Sequence, residues 1–356
     1  MMADGRVLLL TGYDGERAGG GREALSRLVE AALADLAGPP AVLRLAGRTG
    51  LVEGLRGRLG GLDGSALADL RARLAEPAIT AMFCDGSQLG AAAALARAAR
   101  PHLPIITFCH NCETDFFADA LRHNPGLKPA AVLAGHWQAE RLAVRHSTRL
   151  ITLTARDSAA LARRFGRGAD AIVPLAIDGA RDPQAAPVER GAPYALFVGG
   201  GFFGNIEALR WYARAVAPNL AMRTLVVGRG LETLGPMPDN IELVGPVDHL
   251  SPFYAGAALV IAPILSGSGM KTKVAEALMH GKRVVGTSEA FTGYAPEVVA
   301  ANHLCDDPAD FAATINAALA APPPAFDPAL RALYESRHSR SALRAGLAAQ
   351  LPVTSR

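Results

Sequence analysis

Ala258-Leu259-Val260-Ile261-Ala262-Pro263-Ile264 runs into Gly267-Ser268-Gly269-Met270-Lys271-Thr272-Lys273-Val274-Ala275-Glu276-Ala277-Leu278. The first stretch reads as a buried strand. The last reads as an amphipathic helix that stops at Gly281. A glycine-rich turn that opens a helix offers free backbone N–H groups and the positive end of a helix dipole to an anion. Lys271 and Lys273 lie in that first turn. They are two of only four lysines (Lys128, Lys271, Lys273, Lys282) in a chain that otherwise writes its cations as arginine. Glu276 follows Lys273 by about one helical turn and shares its face. Backbone donors, ammonium groups and one carboxylate suit a nucleotide diphosphate with a ribose beside it. The alternative is a plain strand–turn–helix connection with solvent-facing lysines.

The same alternation extends along the chain. Strands are predicted over 6–11, 41–45, 79–84, 104–109, 130–134, 149–153, 194–199, 223–228, 241–244, 258–264 and 283–287. Helices are predicted over 21–36, 64–75, 87–99, 136–144, 155–165, 205–216, 270–280 and 308–320. Apolar strands separated by amphipathic helices imply α/β architecture with parallel sheets. The proline-containing stretch 179–193 has no periodicity and reads as a linker. The expected domains are 1–178 and 194–325, both Rossmann-like, with a final segment 326–356. Its single helix, about 328–350, is expected to pack across both domains. Two such domains facing a central cleft present their strand ends to it, which is where open α/β sheets bind ligands. Gly19-Gly20-Gly21, Gly199-Gly200-Gly201 and Gly267-Ser268-Gly269 all fall at strand ends.

The 356 residues suit two domains, and half are hydrophobic. A net charge of +3 is too weak to argue for nucleic acid. It leaves room for a peripheral contact with anionic lipid. Arg48, Arg56, Arg58, Arg71 and Arg73, with Leu51, Leu55 and Leu59, offer either a membrane-facing surface or a solvated helix face. No apolar run has the length of a membrane span, and no signal-peptide pattern precedes Val7-Leu8-Leu9-Leu10. Four cysteines do not read as a disulfide framework, so the cytoplasm is the expected compartment. Cys109-His110-Asn111-Cys112 contains a C-x-x-C, but Cys84 and Cys305 supply no second pair for zinc.

His110 ends the strand Pro104–Cys109, with Asn111 and Glu113 just beyond it. An imidazole there can donate to a sugar hydroxyl or to a leaving phosphate oxygen. It can equally be a polar strand-end residue bonded to local backbone. His136-Trp137 faces an acceptor or simply begins a helix. Gly199-Gly200-Gly201-Phe202-Phe203-Gly204 fits G-x-G-x-x-G, with Asn205 expected to cap the next helix. The following strand ends in Arg229 rather than an acid, which leaves an NADP-linked oxidoreductase as one alternative function. A non-catalytic protein that binds nucleotide sugars or polysaccharides is another.

The second half resembles the family 4 glycosyltransferases, which have the GT-B fold. The resemblance runs through Tyr194–Gly199, Val226–Gly230, Val244-Gly245-Pro246-Val247-Asp248, Pro252–Ala257, Gly267–Leu278 and Gly281–Thr287. In the first half His110-Asn111 with Glu113, and Val173–Asp178, look similar. The resemblance implies a retaining, metal-independent transfer from a nucleotide-diphosphate sugar, with the nucleotide in the C-terminal domain. Glu276 matches the second acid of the family's E-x7-E motif, which binds ribose. The first acid would fall at Ser268 and is missing, as in many relatives with this loop. Lys273 matches the lysine that meets the diphosphate. His110 matches the histidine near the transferred sugar.

His110, Glu113 and Lys273 are therefore expected to act in catalysis. Gly20, Gly21, Gly200, Gly201, Asn205, Arg229, Val247, Ser268, Gly269, Met270, Lys271 and Glu276 are expected to touch substrate. No metal or other cofactor is implied. The expected partners are the nucleotide-sugar donor and a glycan, lipid-linked or protein acceptor.

Overall fold

The computed structural model describes residues 5–12, 21–47, 49–178, 181–188 and 190–352. Gly19, Gly20 and Arg48 lie outside them. The chain divides into two compact units, residues 1–176 with 340–356, and residues 177–339.

In the first unit β1 (Arg6–Thr11), β2 (Ala41–Arg44), β3 (Ile79–Asp85), β4 (Ile105–Cys109), β5 (Arg149–Thr152) and β6 (Ala171–Ile172) form one sheet, in the order β2-β1-β3-β4-β5-β6. Every pairing is parallel. The helices are α1 (Gly21–Ala37), α2 (Leu51–Leu55), α3 (Gly64–Leu74), α4 (Gly90–Ala99), α5 (Glu113–His123), α6 (Leu127–His146) and α7 (Ala155–Phe165). The strands are buried on both faces: Leu8, Leu10, Met82 and Ile105 pack with Leu67, Leu70, Ala92 and Ala96 in one core.

In the second unit β7 (Tyr194–Val198), β8 (Arg223–Val227), β9 (Ile241–Gly245), β10 (Ala257–Ala262), β11 (Val284–Gly286) and β12 (His303–Leu304) form a parallel sheet in the order β12-β11-β10-β7-β8-β9. Its helices are α8 (Phe203–Trp211), α9 (Ser251–Gly256), α10 (Thr272–Met279), α11 (Pro296–Ala300), α12 (Pro308–Ala320) and α13 (Pro328–Arg337). Counted from β7, this is the Rossmann strand order, and it reverses between β7 and β10. The first sheet reverses between β1 and β3. Those reversals are where such sheets open a crevice for ligand.

Three expectations need correction. Residues 130–134 are not a strand but part of α6. Pro129 sits in that helix's first turn, where a missing N–H costs nothing, and the alanines around Val132 and Leu133 propagate the helix. Asn205 does not cap its helix: the cap is Phe202, α8 starts at Phe203, and a π-helical turn, Tyr212–Val216, follows. The final helix is two helices, α13 and α14 (Arg340–Ala348). At His338 the backbone leaves the helical region (φ −126°), and its carbonyl accepts from Ile177 N–H at 2.9 Å. α13 belongs to the second unit and α14 to the first, where Arg340 pairs with Asp35 of α1 at 2.7 Å.

All four cysteines are free and buried, and Cys109 and Cys112 pack in an apolar cluster. Arg56 and Arg58 both pair with Glu53, and Arg73 pairs with Glu76. Leu51, Val52 and Leu55 of α2 are exposed. Among the described residues no helix is long and apolar enough to cross a membrane.

Candidate functional site

In the second unit the loops after β7 and β10 meet at the sheet's reversal point. Gly267 (φ 132°) and Gly269 (φ 64°) hold backbone angles that side chains disfavour, and they turn the chain sharply into α10. Lys273 is buried in the first turn of that helix. Its Nζ donates to Asn205 Oδ1 at 3.1 Å and lies 5.2 Å from the Phe197 ring centre. Burial holds its pKa down at about 8, with Lys271 adding to the depression and Glu276 opposing it. Asn205 also donates from Nδ2 to the Gly200 carbonyl at 2.8 Å, so one side chain ties the β7 loop to the lysine.

Glu276 lies on the same helix, where Tyr254 Oη donates to its Oε2 at 3.1 Å. Burial raises the carboxyl's pKa, against the pull of Lys273 and of the Tyr254 hydrogen bond. The Tyr254 ring is itself fixed by stacking on His280, 4.1 Å away and nearly parallel. Lys271 is engaged differently. Its Nζ donates to the Ser268 and Gly269 carbonyls at 3.3 and 3.1 Å and pairs with Glu289 at 2.9 Å. It ties the loop together. Met270 is buried, Ser268 and Val247 are half-buried, and Arg229 is exposed.

The glycines after β7 have a packing reason. A side chain on Gly201 would meet the Gly230 carbonyl oxygen at 2.1 Å, and one on Gly228 would meet that of Gly199 at 1.9 Å. Gly201 N–H donates to the Arg229 carbonyl at 2.8 Å. Two strand-end loops lie backbone against backbone here, which only glycine permits.

In the first unit a pocket of about 810 Å³ opens at the other reversal point. His110, Glu113, Asn111, Asp85 and His136 line it, with Arg22 from α1. Gly21 opens that helix. His110 Nε2 approaches Asp85 Oδ1 to 2.9 Å, and Thr11 Oγ1 donates to Asp85 Oδ2 at 2.7 Å. Burial raises the Glu113 pKa, opposed by Arg22 at 4.0 Å and by His110. His136 stacks on Phe117 at 4.0 Å and is held down at about 4, by burial first and then by Arg22.

Two buried acids position this turn, and sequence reasoning missed both as site-builders. Glu140 of α6 accepts from the backbone N–H groups of Glu113 (2.7 Å) and Thr114 (2.9 Å), from Thr114 Oγ1 (2.5 Å) and from Ser87 Oγ (3.1 Å). It satisfies the start of α5 from another helix. Asp157 of α7 accepts from Cys112 N–H at 3.0 Å and from Thr154 Oγ1 at 2.5 Å. Glu140→Ala removes a buried acceptor and strands two N–H groups, so it should cost about 2–4 kcal/mol. Urea unfolding measures this, and a loss under about 1 kcal/mol would make the carboxylate dispensable.

Among the described residues no group of three or more His, Cys, Asp or Glu is arranged to hold a metal ion. No curated protein matches the chain in sequence. Solved structures match it in fold. HepE of Anabaena, solved with UDP, superposes with a TM-score of 0.65 at 14% identity, over 97% of this chain and 99% of its own. Sucrose-phosphate synthase from Thermosynechococcus elongatus gives 0.66 at 16%, over 97% and 98%. The lipopolysaccharide outer core galactosyltransferase WaaB gives 0.61 at 13%, over 97% and 100%. Residues 6–177 match the glycosyl transferase 4-like domain, and residues 192–321 match the glycosyl transferases group 1 domain. Both units are thus accounted for by the same kind of enzyme, and the chain belongs to the group 1 glycosyl transferases, on the GT-B fold.

Proposed function

We propose that the chain moves a sugar from a nucleotide-diphosphate sugar to a glycan, lipid-linked or protein acceptor, with retention of configuration and without a metal on the donor phosphates. The observation that carries this reading is the Lys273 ammonium, buried in the first turn of α10 beside Glu276 at the β7/β10 reversal. The diphosphate takes the Lys273 charge and the positive end of α10. Departure of the leaving group concentrates negative charge there, and preorganised donors stabilise it. Glu276 accepts from the ribose hydroxyls. Gly200, Gly201, Arg229 and Val247 border the nucleotide. His110 and Glu113 serve the sugar or acceptor side, and Lys271 keeps the loop in shape.

HepE has been solved with UDP, and also with UDP and glucose, which makes uridine nucleotides the first to try. A thermal-shift screen with UDP, GDP and their sugars tests the reading. A ligand at about 100 times its Kd adds about 2.7 kcal/mol. Stabilisation by NADPH alone would reject the proposal. Proton NMR of the first-formed product decides retention, since an inverted anomer excludes it.

Glu276→Gln should weaken the free nucleotide about tenfold. An amide accepts less well than a carboxylate and turns an NH₂ toward one hydroxyl. Calorimetry with the bare nucleotide reads this directly, and an unchanged Kd would make Glu276 a partner of Tyr254 only.

A further inference from the structure

We infer that α6, with α2 beside it, is a docking face for an anionic lipid surface, on which the chain rests without a helix that crosses it. The inference does not use the transferase reading. Half of the large hydrophobic side chains left exposed among the described residues lie on these two helices. On α6, Leu127, Ala130, Ala134, Trp137, Arg141 and Arg145 are all exposed. They recur every three or four residues and so share one face. Leu127 is 92% exposed and Trp137 41%. The face is apolar in its first half and basic in its second. At the junction the Arg141 guanidinium lies 5.4 Å from the centre of the Trp137 ring.

α2 enlarges the apolar area. A side chain on Gly135 of α6 would meet the Gly54 carbonyl oxygen at 2.8 Å, and one on Gly57, just past α2, would meet the Ala139 nitrogen at 3.0 Å. Glycine lets the two elements lie backbone against backbone. Leu51, Val52 and Leu55 share one face of α2 and are 67%, 61% and 48% exposed. Apolar side chains grouped in this way on a surface mark a contact.

Charge decides the occupant. Lys128, Arg141 and Arg145 of α6 are exposed, and the helix's one acid, Glu140, is buried. Acids on the neighbouring helices are paired, Glu53 of α2 with Arg56 and Arg58, and Asp119 of α5 with Arg122. The attraction therefore comes from α6 and not from Arg56, Arg58 and Arg73, which have their own partners. Apolar side chains flanked by cations match the layering of anionic headgroups over hydrocarbon, and a Trp ring suits that boundary.

The test is sedimentation of the full chain with vesicles of phosphatidylcholine alone and of phosphatidylcholine mixed equally with phosphatidylglycerol. Tryptophan emission is read on the same samples. Binding should need the anionic lipid. Trp137 and Trp211 are the only tryptophans of the chain, so a blue shift on binding that Trp137→Phe abolishes puts the α6 face in lipid. Leu127→Ser should weaken binding about tenfold, as loss of one buried leucine does. Lys128→Gln, Arg141→Gln and Arg145→Gln should each weaken it about fivefold. All of these side chains are exposed, so the variants should fold.

No binding to either vesicle overturns the proposal, and so does equal binding to both. Binding without a Trp137 shift, or binding that Leu127→Ser leaves unchanged, overturns it as well. A dimer seen by sedimentation velocity without lipid, and dissolved by Leu127→Ser, would give the face to a second copy of the chain and overturn it too.

Discussion

His110→Ala is expected to cut transfer about 10²–10³-fold while nucleotide affinity stays at the wild-type value. The reasoning starts from position. His110 follows β4 of the first unit, 2.9 Å from Asp85 and beside the turn that Glu140 and Asp157 anchor. The proposed nucleotide loop belongs to the second unit. An interaction made chiefly in the transition state lowers turnover and spares ground-state binding. Glu113→Gln should show a weaker effect of the same kind. Calorimetric affinity and turnover measured on one preparation separate the outcomes. Equal losses in both, or none, would contradict the assignment.

Lys273→Ala is expected to weaken the nucleotide diphosphate about ten- to hundredfold, because a charge-assisted hydrogen bond to phosphate is worth about 1.5–3 kcal/mol. The wild type adds a pH signature. The Lys273 pKa is lowered to about 8, and a bound diphosphate favours the charged form. Affinity should therefore hold below about pH 8 and fall as pH rises through it, with proton uptake on binding near that pH. Calorimetry in buffers of different ionisation enthalpy measures the uptake. In Lys273→Ala the pH dependence should flatten. Wild-type affinity that ignores pH between about 7 and 9 would place the ammonium away from the phosphates.

Local pattern made much of this molecule legible. The strand, the glycine turn and α10 are contiguous in sequence, so apolar period and turn chemistry suffice to read them. The same holds for β1, β3, β4, β7 and β8, which are short apolar runs bounded by turns. Reading failed where a distant partner decides. Lys271 and Lys273 look alike in sequence, yet Glu289 draws one into the loop and Asn205 holds the other. Glu140 and Asp157 look like ordinary helix acids; only the close packing of α5, α6 and α7 beside β4 turns them into anchors. Asp85 ends an apolar strand as His110 follows one, and that shared signal could have picked it out. The 130–134 error came from weighing apolar content over a proline that marks a helix start.

The central claim, that a nucleoside diphosphate rests on the turn into α10, is tested most directly by following backbone amide signals during titration with UDP and GDP. The account predicts saturable shifts concentrated at Gly267–Lys273, from one of the two nucleotides at least. Saturable shifts confined to Gly199–Gly204 and Gly228–Gly230, with Gly267–Lys273 unmoved, would contradict it.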